Sequence, residues 1–138
     1  MTLVYLLDTN IVSAPVSKRP NVAIVEKLKK HGERCAIAAP VWHELKCGCQ
    51  RMPQGKRRAA LDDYLTNVVR AAFPILPYDE AAATWHGLER ARLESKGTPS
   101  PFVDGQIASI AHVNELIVVT LNKSDFTRYK DLQLETWV

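Results

Sequence analysis

Cysteine is scarce in this sequence. The 138 residues hold three, Cys35, Cys47 and Cys49. That odd number closes no complete disulfide framework, and Cys47 and Cys49 sit close together without the second pair or the histidine spacing that a zinc site requires. They read as reduced, partly buried thiols. No apolar run approaches the roughly 20 residues of a membrane span, and the N-terminal apolar run is too short, and lacks the basic start, for a signal peptide. A cytoplasmic protein with no membrane role is expected. Internal repeats, low-complexity stretches and linkers are also missing, so residues 1–138 are expected to form one domain. Charge of one sign does not dominate either: the net charge of +3 permits a nucleic-acid partner without demanding one.

What the chain does have is apolar residues, at 46%, enough for a real core and too many for disorder. They fall in two alternating patterns. Short apolar runs at Leu3–Leu7, Cys35–Ala38, Ile75–Tyr78, Ile117–Thr120 and Leu134–Val138 predict strands. Segments of helical period lie between them. Asn21–His31 carries Val22, Val25 and Leu28 and stops at Gly32. Pro40 opens a helix with Val41, Trp42, Leu45, Cys49 and Met52 inward. Arg57–Ala72 presents Leu61, Tyr64, Leu65 and Val68. Asp79 caps a helix with Trp85 and Leu88 inward that stops near Gly97, and Ser100 and Pro101 start another through Ile107, Ile110 and Ala111. Strands alternating with helices predict an α/β domain with a mostly parallel sheet.

Acidic residues occupy unusual places in this pattern. Asp8 ends the apolar strand of LVYLLDTN, and Asn122 and Asp125 follow the strand of LIVVT. In an open α/β sheet, ligands bind beyond the carboxyl ends of the strands. Taken singly, each of these residues is more simply a cap for the helix that follows. Asp104 fits a cap less well. In SPFVDGQIASIA it shares a helix face with Ile107, Ala108 and Ala111, where a charge is costly unless it is paired or lines a wet cleft. Glu44 borders the apolar face near Val41 and reads equally as a solvated helix glutamate. No lysine or arginine has a matching inward position. Clustered carboxylates without a cation are driven to protonate. A hard divalent ion, Mg²⁺ or Mn²⁺ rather than zinc, is the simplest remedy, and it would equip the site for attack on a phosphodiester.

The motifs LLDTNIV, VWHEL, FVDGQIASIA and TLNKSDF, in this order and at these spacings over almost the whole chain, resemble the PIN-domain ribonucleases, and most closely the VapC-type toxins of bacterial toxin–antitoxin pairs. The resemblance implies a three-layer α/β/α domain with a five-stranded parallel sheet in the order 3-2-1-4-5. It implies direct metal binding by Asp8 and Asp104, with Glu44 and Asp125 completing the catalytic pocket and Thr9 and Asn122 in support. It also implies a Mg²⁺- or Mn²⁺-dependent endoribonuclease that acts as a toxin, forms a homodimer and binds an antitoxin in a hetero-oligomer.

Arg51, Lys56, Arg57 and Arg58 form the densest positive cluster, suited to RNA phosphates and equally to a solvated turn. The histidines, His86 and His112 among them, lack ligand spacing and read as packing or surface residues, and Trp42 and Trp85 read as core. Two rival functions follow from the same residues. A phosphatase of the haloacid dehalogenase type, with Asp8 as nucleophile, wants an acid two residues later, where this chain has Asn10. A non-catalytic binding module of the same fold has no use for the mutual repulsion of four acids.

Overall fold

The computed structural model describes residues 2–138, so Met1 of the expected domain lies outside it. Five parallel strands form one sheet: β1 (Tyr5–Leu7), β2 (Cys35–Ala38), β3 (Ile75–Leu76), β4 (Ile117–Val119) and β5 (Leu134–Glu135), in the order β3-β2-β1-β4-β5. Among the described residues seven α-helices flank it: α1 (Thr9–Ser13), α2 (Val22–His31), α3 (Ala39–Arg51), α4 (Lys56–Tyr64), α5 (Arg70–Ala72), α6 (Glu80–Ser95) and α7 (Phe102–Val113). The strand order is the one the resemblance implies. No described helix is long and apolar enough to cross a membrane.

β2 matches its predicted run, and the other four strands are shorter than theirs but fall inside them. Leu6, Leu7, Ala36, Ile37, Val118 and Val119 are fully buried, as expected of parallel strands covered on both faces. Tyr5 is in register with Cys35 on one side and with Ile117 on the other. The chain therefore winds from β1 outward to β3 and then crosses back to β4, which makes the gap between β1 and β4 the point where strand order reverses. The main-chain N–H of Asp8 donates to the Val119 oxygen at 2.9 Å and ties the exits of these two strands together.

Several inward positions differ from the sequence pattern. Val22, Val68 and Leu88 are exposed, at 68%, 49% and 70%, and Ile24, Val69 and the pair His86 and Glu89 are buried instead. At Val68 the cause is a π-helical turn over Leu65–Val69. Such a turn takes an extra residue, so Val69 rather than Val68 returns to the face begun by Leu65. Gly32 ends α2 with φ −51°, a right-handed conformation that feeds a 3₁₀ turn rather than a left-handed cap. Ser100 does not cap α7: Pro101 holds that position without a side-chain bond, and Ser100 Oγ instead receives the Tyr129 hydroxyl. Asp79 caps α6 as expected, accepting from the Ala82 N–H at 3.0 Å, and Gly97 closes the helix at φ +72°.

Helices α6 and α7 pack closely. A Cβ placed on Gly105 would stand 2.1 Å from His86 Nε2, so any side chain there would have to push the imidazole aside. Burial, then the nearby Arg90 charge, lowers the pKa of His86, and its Nδ1 shares a hydrogen bond with the Tyr78 hydroxyl at 2.8 Å. His86 is thus a packing residue, as its sequence context suggests, and His112 stacks on Trp85 with centroids 4.4 Å apart.

Candidate active site

Asp8 is the cap of α1, in extended conformation at φ −76° and ψ 164°. Both of its carboxylate oxygens are held. Oδ1 accepts the Thr9 N–H at 2.8 Å, and Oδ2 accepts the Thr120 hydroxyl at 2.8 Å. Thr9 thus supports Asp8 through its main chain. Thr120, fully buried, also receives the Asn122 N–H on Oγ1 at 3.0 Å. One hydroxyl therefore fixes the acid that follows β1 and starts the turn that carries Asn122 and Asp125. Thr120 was not singled out in the sequence, where a threonine ending LIVVT reads simply as strand. The only cue was a polar group in register beyond a buried strand beside β1.

Asp104 lies half-buried in the first turn of α7. Burial pushes its carboxyl up to about 6, and the charges of Asp125 and Asp8 add to the rise. Three acids from α7, the β4–β5 connection and the end of β1 therefore share one field. Asp125 is exposed at the end of a 3₁₀ turn over Lys123–Asp125, where its N–H donates to the Asn122 oxygen at 3.0 Å. Glu44 is exposed on α3 and is not among the charges that raise Asp104. The group has one cation that the sequence pattern did not reveal. Arg128 lowers the Asp104 pKa, against the expectation that no arginine faces the acids.

Among the described residues, no three Asp, Glu, His or Cys side chains close into a ready-made metal cage. The donors that do share the field are all carboxylate oxygens. Mg²⁺ retains several waters and needs only one or two carboxylates, and an all-oxygen donor set suits such a hard ion rather than zinc. The cysteines stay out of the site: all three are free thiols, and burial pushes the Cys35 thiol up to about 12.

The basic cluster splits into two kinds of residue. Arg58 is used within the chain, with its guanidinium on Gln50 and on the Met52 oxygen. Arg51, Lys56 and Arg57 are exposed at the end of α3 and the start of α4.

A family model described as PIN domain matches residues 5–132. The chain is 30% identical over 136 residues to the tRNA(fMet)-specific endonuclease VapC of Shigella flexneri, with 98% of each chain covered. It is 31% identical over 124 residues to Toxin FitB of Neisseria gonorrhoeae, covering 88% of this chain and 89% of that one. A solved structure of FitAB bound to a DNA fragment superposes with a TM-score of 0.89 at 27% identity, over 98% of this chain and 96% of that one. DNA-bound VapBC from Salmonella typhimurium superposes with a TM-score of 0.86 at 30% identity, over 99% and 100%.

Proposed function

The chain belongs to the PIN domain family, and from that premise we propose that it is a divalent-metal-dependent endoribonuclease acting as the toxin of a toxin–antitoxin pair. The observation that carries the proposal is Asp104, whose carboxyl is pushed up to about 6 by burial and by Asp125 and Asp8. A fold that keeps three acids in mutual repulsion at its ligand-binding edge has a use for a cation there.

In this reading Asp8 and Asp104 hold Mg²⁺ or Mn²⁺ directly, and Glu44 and Asp125 complete the pocket. The ion, when bound, supplies a Lewis acid for a phosphodiester oxygen and lowers the pKa of a bound water. The chain supplies the geometry. Asp8 is the fixed member, because Thr9 and Thr120 each take one of its oxygens and leave each a further lone-pair site free. Asn122 and Thr9 orient the neighbouring groups. Arg51, Lys56 and Arg57 supply sequence-independent contacts to RNA phosphates.

Relatives solved as FitAB and VapBC complexes, one of them described as a member of a family of toxin-antitoxin systems, support an antitoxin partner for this chain; we read the assembly as a hetero-oligomer built on a homodimer. We place the protein in the cytoplasm as a single domain. The test is direct: purified protein incubated with RNA should cut it with Mg²⁺ or Mn²⁺ and not in EDTA, and Asp8→Asn or Asp104→Asn should abolish cutting. Cleavage that persists without metal, or in both variants, overturns the proposal.

A further inference from the structure

The segment that follows Asp125 is tied down at three consecutive residues. The Arg128 main-chain oxygen accepts Nη2 of Arg92 at 3.0 Å, while Arg128's own Nη1 donates to the Pro99 oxygen. Tyr129 is buried, its hydroxyl donating to Ser100 Oγ and its ring lying 6.2 Å from that of Trp85. The Lys130 N–H donates to Glu89 Oε2 at 2.9 Å. Glu89, on the buried face of α6, also receives Nε and Nη2 of Arg92 at 2.8 and 2.7 Å, in the two-pronged geometry that makes the strongest carboxylate pairs.

A buried carboxylate is tolerated when its hydrogen bonds are complete, and Glu89 collects three donors. The hydrogen bond from Arg92 holds it below the usual carboxylate range. None of the chemistry proposed for the acids uses Glu89. What it does reach is the stretch bearing Arg128, which is solvent-exposed and whose guanidinium donates to the Pro99 oxygen, just ahead of the helix whose first turn carries Asp104. Arg128 commits one donor to Pro99 and has others to offer.

We propose that Glu89 is a positioning residue of the site: with Arg92 it fixes the Arg128–Lys130 segment so that the Arg128 guanidinium stands beside Asp104 and contacts an RNA phosphate. This rests on the reading of RNA as the substrate. An arginine among acids would otherwise only dull the site's attraction for a cation. Set at its edge on a clamped main chain, it offsets the repulsion between the acids and an incoming phosphate.

Binding of a fluorescent, unstructured single-stranded RNA, followed by anisotropy in EDTA across a salt series, tests this without any cleavage. Arg128→Ala should weaken binding about tenfold, as expected for one charge-assisted contact. It should also reduce the slope of log affinity against log salt by about 0.7, the share of one phosphate on a single strand. Arg128→Lys should retain the slope. Glu89→Ala should show the same loss as Arg128→Ala, and the double variant should be no worse than Arg128→Ala alone. Glu89→Gln keeps an acceptor for Lys130 and guards against a variant that does not fold; it should fall between wild type and Glu89→Ala. Additive losses, or folded Glu89 variants with the wild-type slope, overturn the positioning role. An unchanged slope in Arg128→Ala overturns the phosphate contact. Wild-type protein that shows these slopes yet cuts no RNA with metal overturns the ribonuclease reading and leaves this one supported.

Discussion

The Thr120 hydroxyl donates to Asp8 Oδ2 at 2.8 Å, across the point where strand order reverses between β1 and β4. The residues are 112 positions apart in the chain, yet this bond sets the angle of the first acid. Thr120→Val keeps the shape and removes the hydroxyl. It leaves Asp8 Oδ2 without its donor, while Oδ1 keeps the Thr9 N–H, and it leaves the Asn122 N–H without an acceptor. Chemical denaturation should show a loss of about 1–3 kcal/mol, RNA cleavage should fall with it, and Thr120→Ser should restore most of both.

Removing one acid should separate stability from function. In EDTA at neutral pH, Asp104→Asn relieves the repulsion with Asp125 and Asp8, so its thermal midpoint should lie above that of wild type. Mg²⁺ or Mn²⁺ should raise the wild-type midpoint, by about 2.7 kcal/mol of stability at a hundredfold excess over the dissociation constant, and should leave that of Asp104→Asn nearly unmoved. Calorimetry with and without metal checks both directions. A metal shift of equal size in the variant contradicts direct binding by Asp104.

The contact between Gly105 and His86 sets the spacing of α6 and α7. Gly105→Ala forces its Cβ onto the imidazole and should cost about 1–3 kcal/mol, the usual range for overpacking. His86→Ala opens the space, so the double variant should be more stable than the sum of the two single losses predicts. Denaturant titration of the four proteins closes the cycle.

His86 also gives a pH dependence of known sign. Its folded-state pKa lies below the unfolded value of 6.5. The folded protein therefore binds fewer protons in the interval between the two, and the contribution of His86 is complete above pH 6.5 and lost as pH falls through that interval. Asp104, with its carboxyl raised from 3.8 to about 6, acts in the opposite sense, gaining stability as pH falls. The comparison that isolates His86 is wild type against His86→Gln. The difference between their thermal midpoints should narrow from pH 7.5 to pH 5.5.

At the basic cluster, Lys56→Ala and Arg57→Ala should each lower RNA affinity uniformly across sequences and flatten its salt dependence. Arg58→Ala should instead loosen the joint between α3 and α4, visible as a lower midpoint, because its guanidinium is bonded to Gln50 and Met52.

The elements and the acids were legible because each obeys a local rule. Apolar runs mark β1 and β4, the Asp79 cap opens α6, and Asp104 stands out as a charge on an otherwise apolar helix face. What escaped depends on partners distant in the chain. On α6, helical period points to Leu88, yet His86 and Glu89 are the residues inside, because Tyr78, Arg92 and the Lys130 N–H satisfy them there. Thr120 escaped because a β-branched residue at the end of a strand looks like more strand. Val69 replaced Val68 because a π turn leaves no compositional mark. Arg128 carries no local sign of its place, because Arg92 holds its main chain and Pro99 its guanidinium from elsewhere in the sequence.

The two outermost strands, β3 and β5, are only two residues long. A strand of that length exposes too few unpaired main-chain groups to template another sheet. Copies of this chain, or a partner protein, therefore have little backbone to add to at either border. Side chains, rather than a continued sheet, are then what an assembly has to use. Such contacts can each be altered by a single substitution, which a backbone ladder does not allow.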